Sequence, residues 1–405
     1  MYKIVNFITK ELVLPNGLVF IGEDGQQLEV VIKLDKIVEK LNLHYFKISP
    51  PGLAKYLPIM PIEKVNEFIS LQEAATPLLR SRYLGERLGI DLYFKLEGKN
   101  PTGSFKDRGS AVEVAIAKEM GASAIILAST GNMAASCACY AAVANIPCFV
   151  LVPEGIPISK VAQVIAFGAK VVRVKGDYND AATLAENIAK EMGFYLAGDY
   201  AFRIEGQKTA AFEISDQMLF QPPDILFVPI GCGTNIAAYA KGFDEYQKLG
   251  LIDQKPRLYG VQAEGAAAVV NSYVHDRTDI IPLAQVDTIA SAISVPNPID
   301  GIKALHAIRS TNGGATSVTD QEILEAQQLL SRKEGLFVES ASASTVAALL
   351  KNDLVKEGIK SKKVVCVLTG DGLKDAAVVL KAAMEPHTIY PETQEFIKLL
   401  KNNSI

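Results

Sequence analysis

The sequence predicts an α/β protein built on doubly wound, mostly parallel sheets. Short apolar runs rich in β-branched residues recur along the chain, and amphipathic runs at helical spacing separate them. Strands that are apolar on both sides belong in a sheet covered by helices on both faces. At 405 residues the chain has room for two such domains, with one large α/β domain carrying insertions as the alternative.

Taken in order, residues 1–75 are less regular and contain the paired prolines of SPPG at 49–52, so they read as a peripheral segment. DLYFKLE at 91–97 alternates apolar and polar side chains and reads as a strand, followed by the small-residue loop KNPTGSFKDRGS at 99–110. SAVEVAIAKEM at 110–120 then has apolar residues at helical spacing. Further strands are expected at 124–128, 148–152, 170–174, 224–230, 257–262 and 363–369. Between them lie a small-residue helix at 133–144 and amphipathic helices at 178–192 and 320–335. The last opens with Thr319 and Glu322 spaced as a capping box.

Bulk properties narrow the function. A formal charge of −4, with no block of like charges, argues against nucleic acid or an anionic membrane surface as the main partner. The five cysteines are scattered, there is no CxxC, and the four histidines lie far apart. No zinc site is expected, and a reducing, cytoplasmic compartment is. Charges break the apolar residues of 1–17, so no signal peptide is expected. Residues 120–153 carry no charge, but STGN and ANIP cut that stretch into strand, helix and strand, which favours a buried parallel unit over a membrane span.

Four loops at strand ends carry the polar groups, where open α/β sheets bind ligands. The first places Lys106 on the first turn of a helix, behind small residues that let a ligand approach. Such a lysine either lies in solvent or serves as an amine nucleophile, the usual means of holding pyridoxal phosphate. Gly98 and Gly103 resemble P-loop glycines, but Ser104-Phe105 stands where Lys-Ser/Thr is needed. The second, PIGCGTN, offers Gly231 and Gly233 before a helix, as a phosphate cradle or a tight turn. Ile236 and the absence of an acidic strand end about 20 residues on disfavour a dinucleotide site. The third presents Ser129, Thr130 and Asn132, as ligand donors or helix caps. The fourth, LTGDGLKD, puts Thr369 first after an apolar run.

Across about 70–385 the chain resembles the threonine synthases and, more broadly, the fold-type II pyridoxal-phosphate enzymes. The segments that carry the resemblance are KLEGKNPTGSFKDRGS, STGN, FRIEGQKTAAFEI, GVQAEGAA, EGLFVESASASTVAAL and LTGDGLKD. It implies two doubly wound domains with the cofactor between them. The large domain would be 76–107 with 191–405, the small movable one 108–190, and residues 1–75 would pack on the large domain. Lys106 would carry the Schiff base and act as general acid and base. Asn132 would bond the ring hydroxyl, Gly231, Cys232, Gly233, Thr234 and Asn235 would hold the cofactor phosphate, and Thr369 would face the pyridine nitrogen. Ser129, Thr130 and Arg203 would address the substrate's phosphate. The implied reaction is γ-elimination with β-addition of water, giving L-threonine from O-phospho-L-homoserine in a homodimeric lyase.

The chain departs from the family pattern at Met133-Ala134, at 197–202 (AGDYAF) and at GCGTN, and Asp199 adds a carboxylate near the expected phosphate site. Another pyridoxal-phosphate elimination or replacement enzyme is therefore the alternative. A catalytically silent binding protein and a nicotinamide dehydrogenase rank lower.

Overall fold

The computed structural model describes residues 2–14, 17–22, 27–37, 41, 43–351, 359–378 and 386–401. An antiparallel hairpin, β1 (Tyr2–Asn6) and β2 (Leu28–Ile32), comes first. A six-stranded sheet is assembled from β3 (Leu78–Arg80), β4 (Asp91–Leu96), β9 (Ile225–Pro229), β10 (Arg257–Ala263), β11 (Gly314–Val318) and β12 (Lys363–Leu368), in the order β11-β10-β9-β12-β4-β3. Only the β3–β4 pairing in it is antiparallel. A four-stranded parallel sheet runs β7 (Lys170–Val174), β6 (Cys148–Pro153), β5 (Ile125–Ala128), β8 (Tyr195–Leu196).

Each strand expected from the apolar runs is present to within one residue at either end. The central strands are buried along their length, as residues covered on both faces must be. The helix Tyr178–Met192 shows how local sequence fixes an element. Asp177 caps it by accepting from the Asn179 and Asp180 amides, and Gly193 closes it at φ +66°. Ala181, Ala185 and Ala189 form its buried stripe and pack on the smaller sheet. The Thr319–Glu322 capping box is formed, but the α-helix stops at Leu329 and widens into a π turn, Leu330–Glu334, closed by Gly335.

Two boundaries differ from expectation. The four-stranded sheet runs on past residue 190 and takes in β8, which pairs with β5. The N-terminal segment touches more than the large sheet's helices: Leu18 accepts from the Leu196 amide, and Phe20 packs on Tyr195 and Phe202. The apolar residues of this segment needed both surfaces to be buried.

Tight backbone geometry marks the entry to β3. Ala74 and Ala75 are left-handed, at φ +66° and +51°. Their amides donate to Asn100 Oδ1 (2.9 Å) and Glu213 Oε2 (2.8 Å). Left-handed alanine is strained by about 1–2 kcal/mol, and Ala75 is exposed, so its methyl gains nothing by packing. Ala75→Gly should stabilise the protein by about 0.5–1 kcal/mol after the added unfolded-chain entropy, read as a higher urea midpoint at unchanged slope.

Strands β9, β12 and β4 are neighbours, and the chain leaves β9 for β10 on one side and β4 for the smaller sheet on the other. At such a reversal, open α/β sheets bind ligands beyond the strands' C-terminal ends.

Candidate active site

Lys106 opens the helix Lys106–Glu119 just past β4. Its two successors anchor that first turn. Asp107 accepts from the Thr102 amide (2.7 Å) and hydroxyl (2.6 Å), folding the loop back on itself. Arg108 is fully buried, its guanidinium bonded to Glu97 (2.7 Å from Nε and from Nη2) and to both oxygens of Glu213 (3.1 Å each). With residues 107 and 108 fixed, the helical turn leaves Lys106 pointing away from both. Its Nζ lies 2.9 Å from Asp199 Oδ1 and 5.0 Å from the centre of the Phe105 ring. Burial alone would raise the Asp199 carboxyl, but Lys106 and Arg203 outweigh it and hold it below the usual aspartate value.

The other loops close on this point. Phe105 N donates to Thr369 O (2.9 Å), Asp371 N donates to Gly103 O (3.0 Å), and Ser104 bridges to Gly370. Gly98 must lack a side chain, because a Cβ there would sit 2.7 Å from Asp371 N. Thr369 Oγ1 pairs with Ser342 Oγ (3.0 Å) and donates to Glu339 (3.4 Å). From the smaller sheet, Asn132 Nδ2 donates to the same Glu339 carboxylate (3.0 Å). Cys232 lies near Asp199, and desolvation together with that carboxylate pushes the thiol well above its ordinary range. Strand-end loops of both sheets, including all those named from the sequence, are thus joined through Lys106, Asp199, Thr369 and Glu339.

The residues present fit pyridoxal phosphate. Gly233 sits at φ +95°, and a Cβ there would lie 2.5 Å from Asp300 O. This glycine turn opens directly into the helix Thr234–Lys248, whose first amides have no partner within the helix. Asn235 Nδ2 is buried without a hydrogen-bond partner in the protein, a donor an anion would satisfy. Ser129 and Thr130 precede the helix Asn132–Val143, with Ser129 nearly buried.

Arg203 is enclosed. It has no exposed surface: Nε donates to Gly198 O (2.8 Å), Nη1 to Lys106 O and Ser110 Oγ (both 3.4 Å), and Nη2 to Glu113 and Cys137 Sγ. Every nitrogen of the guanidinium has a partner within the protein, so in this structure Arg203 braces the Lys106 turn. Ala134 is buried as well and Met133 packs against the core, which makes that departure largely one of packing. Asp199, flagged for repelling a phosphate, is instead the partner of Lys106. Sequence reasoning missed Glu339; the signal available was an acid directly ahead of the small-residue run SASAS.

A cavity of about 730 Å³ also lies between the hairpin and the helices Thr234–Lys248 and Gly301–Ser310, but no site residue lines it. Its buried lysines are paired, Lys241 with Glu205 and Glu245 of the lining, and Lys303 with Asp300 outside it. Among the described residues no group of side chains could hold a metal ion, and no helix is long and apolar enough to cross a membrane.

Residues 69–370 match the family described as pyridoxal-phosphate dependent enzymes. The threonine synthase of Methanocaldococcus jannaschii is 44% identical over 389 residues, covering 95% of this chain and 96% of that one. This chain belongs to the threonine synthase family. The Methanosarcina acetivorans threonine synthase is 42% identical over 367 residues, 89% of each chain. Among solved structures, a maize serine racemase matches with a TM-score of 0.67 at 22% identity, over 82% of this chain and 94% of that one. Threonine deaminase isoform 2 of Solanum lycopersicum matches at 0.66 and 24% identity, over 92% and 99%. At such identities the likeness concerns the fold, which is that of the fold-type II enzymes. A threonine synthase family member needs pyridoxal phosphate, and the cradle at Gly231–Asn235 with Lys106 nearby is suited to it.

Proposed function

We infer that this chain converts O-phospho-L-homoserine and water to L-threonine and phosphate, with pyridoxal phosphate between the two sheets and Lys106 as the amine that attaches it. The observation that supports this most is the position of Lys106, fixed by its neighbours and paired with Asp199 where the strand-end loops meet. When bound, the cofactor supplies an electron sink that lets the α-proton and then the γ-phosphate leave.

The chain's own residues bind, orient and move protons. Lys106 Nζ takes and returns protons at the substrate's carbons, and Asp199 Oδ1, 2.9 Å away, steadies the amine while it carries the extra proton. Gly231, Cys232, Gly233, Thr234 and Asn235 bind the cofactor's phosphate through helix-end amides. Asn132 would hold the ring hydroxyl, and Thr369 would meet the ring nitrogen with a hydroxyl that donates or accepts. Ser129 and Thr130, ahead of a helix N-terminus, take the substrate's phosphate. In this reading the four-stranded unit moves against the larger one, residues 1–75 form a peripheral segment, and the enzyme is a cytoplasmic homodimer.

Incubation with O-phospho-L-homoserine and pyridoxal phosphate, with phosphate and threonine assayed together, tests this. Equal yields of the two are expected. Phosphate without threonine would mean elimination only, and no turnover would point to a different amino-acid substrate.

A further inference from the structure

Glu339 is a side chain that bonds residues of both sheets. Its backbone lies with the larger sheet, its amide bonded to Gly370 O (3.1 Å) just ahead of the helix Ser340–Leu350. Its carboxylate accepts from Asn132 Nδ2, carried by the helix that follows β5 of the smaller sheet, and from Thr369 Oγ1 at the end of β12. The residue is 4% exposed, and a Cβ on Gly370 would lie 2.3 Å from its carboxyl carbon, so the glycine makes the space it occupies. One carboxylate therefore touches both residues proposed to contact the cofactor ring, one from each sheet. A carboxylate only accepts, so the Asn132 amide must turn its nitrogen toward Glu339.

We propose that Glu339 is a positioning residue for the pyridoxal-phosphate ring, fixing the orientation of the Asn132 amide and tying the smaller sheet to Thr369 of the larger one. This rests on the reading that the site binds that cofactor. Burial raises the Glu339 carboxyl to about 7, against the lowering effect of the Asn132 bond and the Lys374 charge, with Asp375 adding to the rise. Lys374 in turn faces Asp107 and Asp371. Above that pH, Glu339 is an anion that holds the amide nitrogen. Below it, the neutral acid can donate, and the amide is free to turn its oxygen toward it. The partner offered to the ring oxygen changes with it, and ring absorbance reports that change.

The test is a pH titration of cofactor absorbance in the holoenzyme, with cofactor affinity measured by dialysis. Wild type should show a step near pH 7, the value to which burial brings Glu339. Glu339→Gln, nearly identical in shape, should bind cofactor but lose the step. Glu339→Ala should bind it about tenfold more weakly, the scale of losing hydrogen bonds to a charged group. Asn132→Ala should also lose the step, because the amide that carries the change in Glu339 to the ring oxygen is gone. An unchanged step in Glu339→Gln with cofactor bound would overturn the proposal while leaving the cofactor reading intact. Failure of the wild type to take up pyridoxal phosphate would sink that reading and the proposal with it.

Discussion

Replacing Lys106 with alanine should abolish the visible absorbance of bound pyridoxal phosphate, expected at about 410–420 nm, and lower turnover by at least about 10⁴-fold. The cofactor should still associate through the Gly231–Asn235 turn, which the substitution leaves alone, and dialysis would detect it. A second effect separates this variant from a merely silent one. Asp199 would lose the ammonium at 2.9 Å and become a buried carboxylate with its closest counter-charge gone. Lys106 holds its folded-state value below the ordinary 3.8, so the pair stabilises the protein above that pH and the contribution fades as pH falls through the folded value. The stability difference between wild type and variant should therefore be present at neutral pH, at about 1–3 kcal/mol, and vanish in acid. Urea unfolding of both proteins without cofactor at pH 7 and below 3.8 measures it; equal differences at both would contradict the pairing.

Arg108→Met should cost about 3–5 kcal/mol, the penalty for removing one member of a buried ionic cluster and leaving the rest uncompensated. Glu97, Glu213 and Lys95 are all enclosed around Arg108, with Thr76 and Thr209 filling its remaining contacts. Burial pushes the Glu213 carboxyl up, but Arg108 and Lys95 more than reverse it and hold it at about 2. A depressed carboxylate stabilises the folded state above its unfolded value, 4.5, and that contribution is lost as pH falls from there toward about 2. Without Arg108 the depression shrinks, so the variant's acid limb between those values should be shallower. Denaturant midpoints across that range would show it, and a parallel curve would refute it. Because Arg108 also anchors the turn that aims Lys106, cofactor attachment should slow in the same variant.

Much of this architecture was legible because it is written locally. The apolar strands, the cap at Thr319 and the glycine turns each follow from a few adjacent residues. The aim of Lys106 was legible only in part: small residues beside it announced a ligand, but the opposing pulls of Asp107 and Arg108 depend on partners as distant as Glu213. The enclosure of Arg203 was not legible either, because an arginine in a polar motif reads as an exposed side chain. Its true partners, Glu113 and Cys137, lie on two other helices. Glu339 was invisible for the same reason, its contact with Asn132 closing 207 positions of chain. The irregular N-terminus carried little period, because its apolar residues answer to two different surfaces.

The middle of the larger sheet pairs β4 with β12, so residue 91 lies beside residue 363. The Lys106 loop then leans on the turn that follows β12. During synthesis the first strand of that pair emerges long before its neighbour exists. Through most of translation the lysine loop has no wall to rest on, while the smaller sheet, made only of residues 125–196, can already be complete. The Lys106 loop thus gains its wall only when the second half of the chain is made, and a product ending ahead of β12 would lack that wall while keeping every strand of the smaller sheet.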